Sequence, residues 1–436
     1  MHLNRWTLLC CALGVALLSG IGNADNWPRF RGTNGVGIAA DQKVPTSFSD
    51  SKNVKWKIKV PGVGNSSPVI WEDKLFVQTS SEDGNSRELL CINAKTGDTI
   101  WSKSVDGKKA HTHSKNTMAS STPAVDGKRV YVSYWDGKRV TVQAYSMKGK
   151  HLWTRDVGGF KSQHGNGASP VVYGDKVYIY QDQDLPLKKG DPIPETLTEK
   201  QKQTAVLYCL DAKNGKVVWS KTRLPYRACY GAPLLWDRPG AGKEIVITST
   251  RHLTGYDPDT GEIKWNWAWE HRGRKFPLRV TGSPVVFGDT VYAYSGDGGG
   301  ARNMVAVKVG SDSTKPEPKL SWESDRDTPY VPSALIFKDK LFFVHDHGIV
   351  SCLDPTSGDV LLKKRLPDAY ITASPVIAGN NIFVCSEQGE VFVLSGDEKL
   401  NIVATNDLGE MIRATPAVAH NCLYVRGQEH LFCIGK

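Results

Sequence analysis

Ser169-Pro170-Val171-Val172-Tyr173-Gly174-Asp175-Lys176-Val177-Tyr178-Ile179-Tyr180 sets the architecture of this chain. Two short apolar runs flank a polar turn with glycine at its bend, which is the pattern of a β-hairpin. A third run follows at Leu207-Tyr208-Cys209-Leu210, then a turn at Ala212-Lys213-Asn214-Gly215, and a fourth run ends at Trp219. Together they predict one four-stranded antiparallel sheet.

The unit recurs. Its anchors are Ser67-Pro68, Thr122-Pro123, Ser169-Pro170, Ala232-Pro233, Ser283-Pro284, Ser333-Ala334, Ser374-Pro375 and Thr415-Pro416, spaced by 55, 47, 63, 51, 50, 41 and 41 residues. Four-stranded units at this period predict a β-propeller, in which each sheet covers the next and only short edges are exposed. Glycine turns precede tryptophans at Gly97 and Trp101, Gly149 and Trp153, and Gly261 and Trp265, with a less regular version at Trp322. These rings are expected to bury against the neighbouring sheet. The last copy stops before its fourth strand, whereas Val54-Lys55-Trp56-Lys57-Ile58-Lys59-Val60 alternates and carries a tryptophan. The expected fold is therefore all-β, an eight-bladed propeller over 54–436 closed by its own N-terminal strand.

Composition agrees with a folded chain. Of 436 residues, 40% are hydrophobic and 23% charged, enough apolar material for a core. Lys+Arg exceeds Asp+Glu by 10, but the bases are interleaved with acids, so the excess predicts a mixed-charge surface and no nucleic-acid partner. Residues 1–24 read as a secretory signal, with Arg5, an apolar run from Trp6 to Leu18 and small residues up to a cleavage point near Ala24. The remainder is expected in the periplasm or secreted, as a monomeric propeller that does not span a membrane, with 25–53 as an N-terminal extension. Seven cysteines follow the signal, an odd number; Cys91, Cys209, Cys352 and Cys433 share similar surroundings and read as small buried apolar residues.

The Gly-turn and terminal tryptophan resemble the pyrroloquinoline-quinone (PQQ)-like propeller repeat, and the likeness covers about Trp27 to Lys436. The opening Asn26-Trp27-Pro28-Arg29-Phe30-Arg31-Gly32 and the ending Leu431-Phe432-Cys433-Ile434-Gly435 are similar to exported bacterial propellers named after outer membrane protein assembly factor B. The resemblance implies either protein contacts in the cell envelope or, for quinoprotein dehydrogenases of alcohols or sugars, PQQ held above calcium. The long dehydrogenases also carry an adjacent disulfide-bonded cysteine pair, and here the only Cys-Cys, Cys10-Cys11, lies in the signal.

In such a blade the first-to-second and third-to-fourth turns share one face, and here they are mostly short. The opposite face carries variable connections, including Gln181 to Thr204, and irregular loops on a rigid scaffold are where binding chemistry usually sits. Residues just before each anchor should ring a central funnel on that face: His113, Asn116, His164, Asn166, Tyr230, Arg279, Tyr330, Tyr370 and Arg413. They supply hydrogen-bonding and stacking groups for a ligand, or they satisfy one another. The pairs His111 with His113 and His345 with His347 lack further ligands at metal-site spacing, and Asp182-Gln183-Asp184 lacks the glycine and distal glutamate of a calcium loop, so it reads as solvated acids. Gly296-Asp297-Gly298-Gly299-Gly300-Ala301 has no following helix and reads as a hairpin loop rather than a dinucleotide fingerprint. No catalytic nucleophile and no metal site is assigned. The leading expectation is a non-catalytic scaffold that binds an envelope protein, peptide or polysaccharide without a cofactor; the alternatives are a PQQ- and calcium-dependent dehydrogenase and a saccharide-binding or saccharide-processing propeller.

Overall fold

The computed structural model describes residues 26–185, 205–273, 277–312 and 316–436. The segment expected to be a secretory signal and most of the loop from Gln181 to Thr204 lie outside them. Eight antiparallel sheets follow one another around a ring, and their innermost strands start at Val69, Ala124, Val171, Leu234, Val285, Leu335, Val376 and Ala417. Each start directly follows its anchor, where seven of the eight carry proline, which has no N–H to leave unpaired, and Ala334 donates its N–H to the Tyr294 hydroxyl at 3.0 Å.

Two early strands complete the ring. Strand β1 (Ile38–Ala39) adds a parallel partner to Val376–Ala378 of the seventh blade. Strand β2 (Val54–Lys59) pairs antiparallel with His430–Ile434 and becomes the outer strand of the eighth blade, as the alternation predicted. Burial follows position within a blade. The second strand of the first blade, Lys74–Ser80, is buried on both faces after its first residue, whereas its outer strand, Thr99–Asp106, is nowhere fully buried.

The repeated residues explain how the blades adhere. The anchor hydroxyl of one blade accepts a hydrogen bond from the anchor N–H of the blade before it: Ser67 N–H to Thr122 Oγ1 at 3.1 Å, Thr122 to Ser169 at 2.9 Å, Ala232 to Ser283 at 2.8 Å, Ser283 to Ser333 at 3.0 Å, Ser333 to Ser374 at 2.9 Å and Ser374 to Thr415 at 2.9 Å. This belt buries donors that would otherwise each cost free energy. Ala232 has no hydroxyl to continue it, and there the Tyr180 hydroxyl donates to Gly231 O at 2.5 Å instead.

A second clamp works at the periphery. The outer-strand tryptophan and a second-strand tyrosine donate to one carbonyl of the next blade. Trp153 Nε1 and Tyr131 reach Ala212 O at 3.0 and 3.3 Å, Trp219 and Tyr178 reach Pro258 O at 3.2 and 2.9 Å, and Trp322 and Tyr292 reach Pro355 O at 2.8 and 2.9 Å. Across the closure, Trp56 and Tyr424 do the same to Ala94 O at 3.0 and 3.2 Å. The turn glycine lies flat on that indole: a Cβ on Gly215 would sit 2.5 Å from the Trp153 ring, at a φ of +68°.

The N-terminal extension is the axle of the wheel. Trp27 exchanges backbone hydrogen bonds with Ile70 at 2.8 and 2.9 Å, Pro28 O accepts from Val125, Arg29 Nη1 donates to Pro233 O at 3.0 Å, Arg31 Nη2 donates to Ala334 O, and Gly37 O accepts from Ile377. Residues 27–37 thus touch blades one, two, four, six and seven. The acids at Asp182 and Asp184 correct the sequence reading. Asp182 is buried and accepts two bonds from Arg223 at 2.8 and 3.0 Å, and Asp184 accepts from Arg279 at 3.1 Å. An arginine distant in sequence supplies the counter-charge that makes each burial tolerable.

Candidate functional site

A funnel of about 630 Å³ opens on the variable face, and Phe30 of the axle reaches its lining. Seven of the nine residues expected to ring it do line it: His113, Asn116, His164, Tyr230, Tyr330, Tyr370 and Arg413. Asn166 and Arg279 stand behind that wall, both buried. Arg279 connects the wall to its support, donating to Asp184 Oδ1 and to Ala228 O at 3.2 Å.

The rim is stitched around its circumference. Asn116 Nδ2 donates to His164 O at 2.7 Å, and the His113 and His164 rings lie 4.8 Å apart. Ser162 and Tyr230 share a hydroxyl hydrogen bond of 2.6 Å. On the far side, Glu387 accepts from Lys115 at 2.5 Å, Thr372 at 2.6 Å and Arg413 at 2.9 Å, while Arg413 also donates to Ser114 O at 2.8 Å. One carboxylate therefore gathers the connections of several blades. Polar groups of the ring bond one another or neighbouring backbone, and its aromatic side chains line the cavity.

Several lining residues lie outside the expected ring. Arg302 donates to Asp346 Oδ2 at 2.5 Å and lies 5.0 Å over the Tyr330 ring, and His347 meets Tyr370 edge-on at 5.5 Å. These come from second-to-third strand turns, whereas the expectation considered only residues before anchors. The signal was in the sequence as His345-Asp346-His347 and as the loop Gly296–Ala301, which does connect two strands and brings Asp297 to the mouth.

Electrostatics favours neutral imidazoles and ionised carboxylates. Burial, then Arg279, pushes His164 down to about 4, and burial with Lys115 lowers His113. Burial works against the ionised form of Glu387, yet Lys115, Thr372 and Arg413 hold its carboxyl below the usual range. Asp184 behaves likewise beside Arg279. A calcium-held quinone needs carboxylates free to meet a cation. Here Asp184, Asp346 and Glu387 are already engaged by cations of the chain, and among the described residues no group of three acidic, histidine or cysteine side chains could hold a metal. These residues do not match that group.

The fold and the funnel define an eight-bladed propeller of the PQQ-like repeat class with an open cavity on its variable face. The chain belongs to the family described as outer membrane protein assembly factor BamB, whose profile matches residues 40–188, 196–312 and 314–435. It is 22% identical over 313 residues to tetrathionate hydrolase of Acidithiobacillus ferrooxidans, covering 68% of this chain and 53% of that protein. It is 26% identical over 241 residues to a polyvinylalcohol dehydrogenase of Pseudomonas, covering 49% and 35%. The chain thus spans about half the length, or less, of these curated relatives. BamB of Moraxella catarrhalis has the same fold, with a TM-score of 0.58, 15% identity and coverage of 87% of this chain and 96% of that one.

Proposed function

We propose that the protein is an exported, non-catalytic scaffold of the cell envelope that binds a protein, peptide or envelope polymer in its funnel. The observation that carries this reading is the pairing of charge at the funnel wall. Tyr230, Tyr330 and Tyr370 offer ring surface, while Asp184, Asp346 and Glu387 are tied to Arg279, Arg302, Lys115 and Arg413, and Asp297 accepts the backbone N–H groups of Gly299 and Ala301 at 2.9 and 3.1 Å. Such a wall can stack on and hydrogen-bond a ligand. Membership of the BamB family supports an envelope location and a protein partner, and among the described residues no helix is long and apolar enough to cross a membrane.

The test is capture from a periplasmic extract by immobilised protein. The triple variant Tyr330→Ala, Tyr370→Ala, Arg413→Gln should retain the melting transition and lose the captured partner; unchanged capture rejects this face. The competing dehydrogenase reading is checked by adding PQQ and calcium. We expect neither a thermal shift nor dye-linked oxidation of alcohols or sugars, and saturable turnover would replace the scaffold reading.

A further inference from the structure

The axle carries two cations into the centre of the wheel. Arg29 and Arg31 are buried, at 5% and 0% exposure, and each is held by backbone carbonyls: Pro233 O for Arg29, and Val36 O and Ala334 O for Arg31. Three of their N–H groups, on Arg29 Nη2 and on Arg31 Nε and Nη1, point at no acceptor in the chain. Among the described residues no carboxylate pairs with either charge. The charged group acting on Arg29 is Arg31 itself, and the group acting on Arg31 is the Tyr294 phenol, whose own proton bonds Ser283 O at 2.6 Å. Burial pushes Arg29 down to about 9 and Arg31 to about 10, so both stay protonated at neutral pH.

Two adjacent cations in a low-dielectric interior, each with unmet donors, are strongly unfavourable unless a counter-charge joins them. Three other buried guanidiniums obtain one from the chain, Arg223 from Asp182, Arg238 from Glu244 and Arg302 from Asp346, whereas Arg87 and Arg426 are held by backbone carbonyls but have no second cation acting on them. We propose that the hub holds a small inorganic anion, chloride in class, between Arg29 and Arg31, and that this ion fastens the axle to the blades. The surroundings select for size. A Cβ at Gly35 would lie 3.2 Å from Arg29 Nη2, and one at Gly37 would lie 3.1 Å from Arg31 Nε, so bare backbone packs beside an unmet donor of each guanidinium, which favours a small ion over a larger one. The run Arg29-Phe30-Arg31-Gly32-Thr33-Asn34-Gly35-Val36-Gly37 supplies the donors and the glycines that let the backbone close around them.

The test holds ionic strength constant while chloride or bromide replaces gluconate. An ion that binds only the folded state raises the folded-to-unfolded ratio by up to tenfold for each tenfold increase in halide above its dissociation constant. The melting midpoint should therefore climb with halide in the wild-type protein and stay flat in Arg31→Met. Should that variant fail to fold, bromide-soaked wild-type crystals give the answer by anomalous diffraction, with a peak expected within hydrogen-bonding distance of Arg29 Nη2 and Arg31 Nη1. A wild-type midpoint indifferent to halide, or a map with only water at that position, overturns the proposal.

Discussion

The glycine at the end of each third-to-fourth turn shows how much a single hydrogen atom decides. Gly215 combines a φ of +68° with contact against the Trp153 indole, while Gly174, in the first-to-second turn of the same blade at +58°, has nothing within 4 Å of where its Cβ would be. Gly174→Ala should cost about 1 kcal/mol from the left-handed backbone alone. Gly215→Ala adds a steric conflict with the ring and should cost roughly 2 to 4 kcal/mol, read from urea midpoints of the two variants. The belt makes a similar claim: Ser283→Ala strands the buried Ala232 N–H and should cost about 1 to 3 kcal/mol in the same measurement. The anchor serines and threonines were legible as a repeat, but not as a belt. Their partners lie 41 to 55 residues away, and spacing alone does not show which N–H a hydroxyl will meet. Asp182 misled for the same reason, since Arg223 stands 41 positions on.

Strand β2 was legible because it had the period of a half-buried strand and the tryptophan that the eighth blade lacked. Trp56 now joins blade eight to blade one through Ala94 O, so Trp56→Ala should cost about 3 to 5 kcal/mol by chemical denaturation and speed hydrogen exchange in 430–434. The axle was visible only as a motif of the resemblance. It has no period to read, and its partners are single carbonyls and amides on five blades, so its position follows from the ring and not from its own sequence. The second-to-third strand turns that bring Arg302 and Asp346 to the funnel were missed because attention to anchors selects one strand end per blade.

Across the whole molecule, acid should act in two stages. His164 and His252 are each pushed down to about 4 by burial, so the unfolded chain takes up protons that the folded one refuses. Their contribution to stability is intact above about pH 6.5 and is lost as pH falls towards 4, by roughly 1 to 2 kcal/mol each after solvent screening. Asp184 and Glu387, held below their ordinary values, add a further loss as pH falls through their depressed folded range. Urea unfolding at pH 7, 5.5 and 4 should show falling stability, with a shallower slope in His164→Gln; a flat profile contradicts the burial of these imidazoles. The pairing of β2 with His430–Ile434 also sets a timetable for biogenesis. A nascent polypeptide must keep this early strand uncommitted until His430–Ile434 has emerged. Assembly should therefore wait on the ribosome, and a product truncated before His430 should persist as a protease-sensitive arc.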